Sequence, residues 1–354
     1  MSRKLTSFDV FTWQFALSAL GWLIGWLLAK PTRGLPSETL HPSEIVLIVP
    51  AKNEEWRIPG LLGALKQYWQ GDLIVVDNGS EDATAELAKN AGADVLSAPT
   101  QRGWVGKSWA CYVGACYARQ VYREKSVYVF LDADTIPSGT FLQRLAAHAK
   151  KIGGLVSTHP YHTPQKFHEV FSASCELIST FTAGSGNRSI AFGQALAIPS
   201  DLYFAIGGHE PIKASRADDL ALARLVSRHA RPVEAFLDDG SGITMRMYPE
   251  GFVTLARGWI KNLCTGALLV DKKRLILATV WITGMLQGLA FGLSWYFLVA
   301  IQHHYLLKRV GRYPWYTSVL WPLTLGVFVM LFVLSCVYEL LGKRPSWRGE
   351  VFRK

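Results

Sequence analysis

Three apolar stretches limit what this chain can fold into. Residues 8–29 are interrupted only by Asp9 and Gln14, and residues 275–301 and 316–341 are comparably apolar. Each is long enough to cross a bilayer. The first is too long for a signal peptide, and Leu28-Ala29-Lys30-Pro31 is a poor cleavage site, so an uncleaved anchor is expected over 8–30. The second stretch can also be read as two short helices continuing to Leu307, so the C-terminal region, 275–342, holds two or three helices. Gly21 and Gly25 are four apart, as are Gly284, Gly288 and Gly292. In lipid that spacing lets helix backbones approach closely, although glycine is common in membrane helices for other reasons. If the spacing serves packing, the first span lies on the second, and Gly25 and Gly288 are the positions expected to crosslink.

Charge separates the candidate partners. Hydrophobic residues make up 50% of the chain and charged ones 18%, with a mean hydropathy of +0.16, values that place part of it in lipid. A net charge of +10 is open to nucleic acid, acidic substrates or an anionic membrane. Many of the basic residues flank apolar runs: Lys30 and Arg33, Lys272 to Arg274, Lys308 and Arg309, and a basic tail over 343–354. That placement favours a membrane surface and argues against nucleic acid. The five cysteines form no CxxC pair and read as reduced, mostly buried small residues, consistent with a cytosolic domain.

Between the apolar stretches, residues 42–265 have the texture of a soluble α/β domain. Ile45-Val46-Leu47-Ile48-Val49, Leu73-Ile74-Val75-Val76 and Val127-Tyr128-Val129-Phe130-Leu131 read as strands buried on both faces. Helical segments alternate with them, one through Leu61, Leu62 and Leu65 and another capped by Asp82 and ending near Gly92. Strand–helix–strand order at this spacing means parallel strands, and such sheets bind ligands at their carboxyl ends. There the polar residues gather: Asn53-Glu54-Glu55, Asp77-Asn78, then Asp132 and Asp134.

Asp132 and Asp134 put two hard oxygen donors near one point, suited to Mg²⁺ or Mn²⁺ with phosphate oxygens. Alone, such a pair equally serves to solvate a loop. Asp77 can accept from a base or ribose, with Gly79 allowing close approach, or simply shape a turn. Gly103-Trp104-Val105-Gly106-Lys107-Ser108 opens a helix where Lys107 and backbone N–H groups could meet phosphate, without Walker spacing. Asp218-Asp219 opens another helix, where Asp219 could be a general base or the pair could complement the helix dipole. His159, His162, His168 and His209 are too irregularly spaced for a metal set and suit surface or packing roles, His209 with a further option near an acceptor. Residues 167–182 read as an interfacial helix or an ordinary core helix.

In order and spacing these segments resemble the family 2 glycosyltransferases, which have a GT-A fold. Ile48-Val49-Pro50-Ala51-Lys52-Asn53-Glu54-Glu55 is similar to that family's first strand and loop. Val76-Asp77-Asn78-Gly79-Ser80 is similar to its nucleoside segment, and Leu131-Asp132-Ala133-Asp134 to its metal motif. Asp218-Asp219 is similar to its Glu-Asp base pair, with Asp218 replacing the usual Glu. The resemblance implies a Rossmann-like, mostly parallel α/β domain that binds a nucleotide-sugar through Pro50, Asn53, Glu54, Asp77, Lys107 and Asp132. It also implies a divalent metal on Asp132 and Asp134, and Asp219 as base beside Asp218. The Gln-x-x-Arg-Trp motif of processive members is missing; the region reads Tyr248-Pro249-Glu250-Gly251-Phe252, then Gly258-Trp259-Ile260-Lys261-Asn262. That departure favours a single transfer. This stretch, with Gly207-Gly208-His209-Glu210, resembles the carotenoid-acid branch and implies His209, Trp259 and Lys261 on the acceptor side.

The expectation is therefore a multi-pass enzyme of the cell membrane with its catalytic domain in the cytoplasm. It moves one hexose, glucose from UDP-glucose, with inversion to a lipid-soluble acceptor such as the carboxyl group of a carotenoid acid. A carboxylate is already ionised near neutral pH, so Lys261 or Arg257 would steer it and Asp219 would mainly orient. The rivals are an enzyme acting on a polyprenyl phosphate or glycerolipid, and an inactive nucleotide-binding membrane scaffold. With two C-terminal spans, Lys308, Arg309 and Arg312 would lie outside, against the positive-inside tendency; three spans move the conflict to the tail.

Overall fold

The computed structural model describes residues 7–29, 34–184, 190–215 and 217–342. Lys30, Arg33 and the 343–354 tail, which entered the charge argument, lie outside the described residues. In chain order the strands are β1 (Ile45–Ala51), β2 (Asp72–Asp77), β3 (Asp94–Ser97), β4 (Val127–Leu131), β5 (Thr135–Pro137), β6 (Leu155–His159), β7 (Tyr161–His162), β8 (Ala195–Pro199), β9 (Val233–Leu237) and β10 (Ile243–Met245). The helices are α1 (Ser7–Leu28), α2 (Ile58–Tyr68), α3 (Thr84–Asn90), α4 (Gly106–Val121), α5 (Phe141–Ile152), α6 (Ala173–Ala183), α7 (Ser200–Ala205), α8 (Asp218–Arg228), α9 (Phe252–Leu269), α10 (Lys272–Gly288), α11 (Leu293–Leu307), α12 (Trp315–Val319) and α13 (Trp321–Leu340).

Contacts divide the chain into two units. Described residues of Thr32–Thr163 and Ser185–Arg246 form an α/β unit; those of Met1–Pro31, Pro164–Gly184 and Met247–Lys343 form a helical one. The segments 164–184 and 247–265, expected within the soluble domain, thus pack with the apolar helices.

The α/β unit is built on a seven-stranded sheet of order β3-β2-β1-β4-β8-β6-β9. β1 pairs in parallel with β2 and β4, and β2 with β3, as the strand–helix–strand alternation requires. β8 runs antiparallel between β4 and β6. The apolar runs are buried on both faces because alternate side chains enter different cores. Ile45, Leu47 and Val49 pack with Leu61 and Leu65 of α2 and Leu145 of α5. Val46 and Ile48 pack with Ala110 and Ala115 of α4 and Leu222 of α8. Gly114 is what lets α4 sit so close, since a Cβ there would lie 2.5 Å from Ile48 Cγ2 and 2.9 Å from Val76 Cγ2. A three-stranded sheet, β5-β10-β7, completes the unit.

Among the described residues, three helices of the helical unit are long and apolar enough to cross a membrane, over Phe11–Leu28, Lys272–Phe291 and Trp321–Leu340. The apolar stretch from 275 is not one span. α10 ends at Gly288, the chain turns through Leu289–Phe291 and Gly292, and α11 doubles back to Leu307. Across this hairpin Trp281 Nε1 donates to Gln302 Oε1 at 3.1 Å, and Gln302 Nε2 donates to the Trp22 carbonyl at 2.6 Å. The first span does lie on α10, but at a different register from the expected pair. Gly21 meets Gly284, where a Cβ would be 2.8 Å from the Gly284 Cα, whereas Gly25 faces Trp281. The helices are antiparallel, so Gly25 and Gly288 lie at different levels. α6 is buried around nearly its whole circumference, which makes it a core helix, not an interfacial one.

Candidate active site

β1, β2 and β4 run the same way, so Asn53, Asp77 and Asp132 emerge at one edge of the sheet. Asp132 follows the last residue of β4, and its N–H donates to the Gln194 carbonyl at 2.9 Å, just before β8. Lys107, in the first turn of α4, pairs with Asp132 Oδ1 at 2.7 Å and donates to the Gly193 carbonyl at 3.2 Å. Gly193 in turn admits Asp219: a Cβ there would lie 3.1 Å from Asp219 Oδ2 and 3.2 Å from its Cβ. Elements distant in sequence thus bring Lys107, Gly193 and Asp218-Asp219 around one small cavity, lined also by Cys111 and His209, and Asp132 adjoins it through its pair with Lys107.

The electrostatics follow from burial among like charges. Burial pushes the Asp219 carboxyl up to about 6, and neighbouring Asp218 adds to the effect. Burial likewise raises Asp132 to about 6; Lys107 pulls it back and Asp134 pushes it further up. Burial alone would lower Lys107, but Asp132 and Asp218 hold it well above its ordinary value, and so protonated. Asp134 has a cation as well: Arg57 Nη1 lies 3.8 Å from Asp134 Oδ2 and 3.6 Å from Glu54 Oε2. Neighbouring hard carboxylates, each neutralised here by a side-chain cation, make a fitting donor set for a divalent metal.

The other expected donor-side residues form a laced edge. Asn53, in a left-handed conformation, accepts from the Glu81 N–H at 2.9 Å through its side chain. Its own N–H donates to Ser80 Oγ at 2.9 Å, and the Glu54 N–H donates to Thr84 Oγ1 at 2.7 Å. The buried Asp77 carboxylate accepts from the Ser80 N–H at 3.2 Å, so in the free chain it shapes the turn at Gly79. Pro50 sits in β1 opposite Val76. On the expected acceptor side, His209 is 3% exposed and its Nδ1 bonds Tyr203 Oη at 2.8 Å. Burial holds this imidazole down to about 4, and so neutral. Trp259 is buried in the helical unit, its Nε1 donating to Ser172 Oγ at 3.2 Å, and Lys261 lies on the same helix, α9. His159 and His162 are buried, not at the surface, and His159 packs edge-on against Phe192. Sequence reading passed over Arg57, Gly193 and Cys111. Arg57 had a signal, a cation two residues beyond Glu55, whereas Gly193 and Cys111 had none.

Residues 46–209 match the profile described as Glycosyl transferase family 2. Over 358 aligned residues the chain is 31% identical to the 4,4'-diaponeurosporenoate glycosyltransferase of Staphylococcus aureus (strain USA300), spanning 93% of this chain and 94% of that one. The chain belongs to glycosyltransferase family 2. The relative of the same name from Staphylococcus haemolyticus (strain JCSC1435) is 30% identical over 87% of this chain and 88% of its own. Among solved structures, the mannosyltransferase PcManGT from Pyrobaculum calidifontis, in complex with GDP-Man and Mn²⁺, superposes with a TM-score of 0.57. It does so at 17% identity, over 95% of this chain and 98% of that one. That likeness establishes the GT-A fold. Asp77, Asp132, Asp134, Asp218 and Asp219 therefore stand in a glycosyltransferase, with the fold the resemblance implied.

Proposed function

We propose that this family 2 glycosyltransferase is a multi-pass enzyme of the cell membrane, its catalytic unit in the cytoplasm, that transfers one glucose from UDP-glucose, with inversion, to the carboxyl group of a carotenoid acid. The observation that carries this reading is the full-length identity to the diaponeurosporenoate glycosyltransferases. The convergence of Lys107, Asp132 and Asp218-Asp219 supports donor chemistry at the sheet edge. Asp77, Asn53, Glu54 and Pro50 line the nucleoside end. Asp132 and Asp134 would hold Mg²⁺ or Mn²⁺, which would offset charge gathering on the departing diphosphate. Lys107 is released from Asp132 to meet a phosphate as a point charge.

The acceptor carboxylate attacks the anomeric carbon from the face opposite UDP, forming a glycosyl ester as the bond to the diphosphate breaks. Ionised near neutral pH, it needs no base, so Asp219 positions the acceptor or sugar hydroxyls. The acceptor-side roles of His209, Trp259 and Lys261 belong to the same proposal. Mass spectrometry of lipid made by the purified full chain from a panel of UDP-sugars, with a carotenoid acid, a polyprenyl phosphate and a diacylglycerol, tests it. A glucosyl ester of the carotenoid acid is expected. Product only on the polyprenyl phosphate or glycerolipid would overturn the acceptor, and no transfer to any would favour a nucleotide-binding scaffold.

A further inference from the structure

We infer that Cys111, His209 and Asp218 form a second metal site, for a borderline-soft dication such as Zn²⁺, that shares Asp218 with the proposed catalytic pair. A sulfur, a nitrogen and an oxygen donor from these three residues all lie within 4.8 Å of one another. That mixture selects zinc over Mg²⁺ or Mn²⁺, which take oxygen. The same residues line a cavity of about 10 Å³, room for roughly one water or one ion. Cys111 and His209 are buried, while Asp218 is half-buried and opens the way in.

His209 is already held as a metal-binding imidazole is usually held. Tyr203 Oη engages Nδ1 at 2.8 Å and accepts the His209 backbone N–H at 3.3 Å, which fixes the ring and leaves Nε2 for a metal. On binding, the Cys111 thiol gives its proton to water. The imidazole binds neutral through Nε2, in the tautomer whose Nδ1–H donates to Tyr203 Oη. Asp219, lining the same cavity, or a water completes the shell. Lys107 is the cation facing this space, but Asp132, Asp218 and Asp219 around it leave an excess of negative charge for a dication. Zinc there would draw Asp218 away from Asp219, so the site is inhibitory.

Cobalt titration of the purified full chain reads the site directly, because Co²⁺ bound by a thiolate gains a charge-transfer absorption. The band is expected in the wild type and absent in Cys111→Ser, which keeps the other four cysteines. This readout stands whether or not Asp219 acts in transfer; only the inhibition arm rests on the proposed function. In assays saturated with Mg²⁺, Cys111→Ser should raise the zinc concentration giving half-inhibition by at least the roughly 10–100-fold that losing even an outer-shell partner costs. Cys111→Ala serves if the serine variant does not fold. A wild-type cobalt spectrum without the thiolate band, or a band that persists in Cys111→Ser, would overturn the site, and equal zinc sensitivity in wild type and variant would overturn the inhibition.

Discussion

Asp219 owes its expected behaviour to its neighbours. Burial beside Asp218 raises it to about 6, and Asp132 is raised to the same range. Asp219 acts as a carboxylate, so activity is lost as pH falls through about 6 instead of near the ordinary value of about 4, while a metal on Asp132 would keep that carboxylate ionised. The pH profile of kcat/KM should show that acid limb, belonging to the interacting set and not to one residue; a profile flat down to pH 5 would contradict it. Gly193 sets where Asp219 sits, because a Cβ there falls 3.1 Å from its Oδ2. Gly193→Ala should lower kcat/KM by roughly 10-fold or more through misplacement, at a stability cost of about 1–3 kcal/mol. Kinetics and thermal melting measured together separate the two effects, and wild-type kinetics would remove Gly193 from the site.

Elements meet where small residues permit. α1 and α10 touch at Gly21 and Gly284, so close that a Cβ on either would reach the other's backbone. Phe15→Cys with Phe291→Cys, whose native rings meet at 5.4 Å, should crosslink in membranes with a short bifunctional thiol reagent, and Gly25→Cys with Gly288→Cys should not, because the antiparallel register pairs Gly25 with Trp281. Efficient 25–288 crosslinking would reject that register. Gly284→Leu should destabilise by about 1–3 kcal/mol through overpacking, visible as a lower melting temperature in detergent. α4 uses the same device, with Gly114 against Ile48 and Val76.

At the scale of the whole molecule, the α10–α11 hairpin redistributes charge. α11 returns towards the end of α1, where Arg309 bonds the Ala29 carbonyl, so the loop carrying Lys308, Arg309 and Arg312 shares that end of the bundle. If the α/β unit that follows α1 is cytoplasmic, as proposed, this loop is expected on the cytoplasmic side, in keeping with the positive-inside tendency. Arg312 is exposed. In a background lacking the native cysteines, Arg312→Cys should react with an impermeant thiol reagent only after the cells are opened. Labelling of intact cells would reverse the topology.

The sequence by itself determined β1, β2 and β4, their parallel order and the carboxylates that follow them. β-branched runs of strand length and carboxylates directly after them are local features, written in consecutive residues. It also determined that long apolar helices flank the α/β segment, because length and hydropathy are local too. Only the tertiary structure decided that Lys107 neutralises Asp132, that Arg57 reaches Asp134, and that Gly193 makes room for Asp219. Those partners come from different strands and helices, and their distances depend on how the sheet twists and the helices pack. The sequence left open whether 275–307 is one span or two short helices, because its composition suits both, and only Trp281, Gln302 and Trp22 meeting in space shows that it folds back at Gly292.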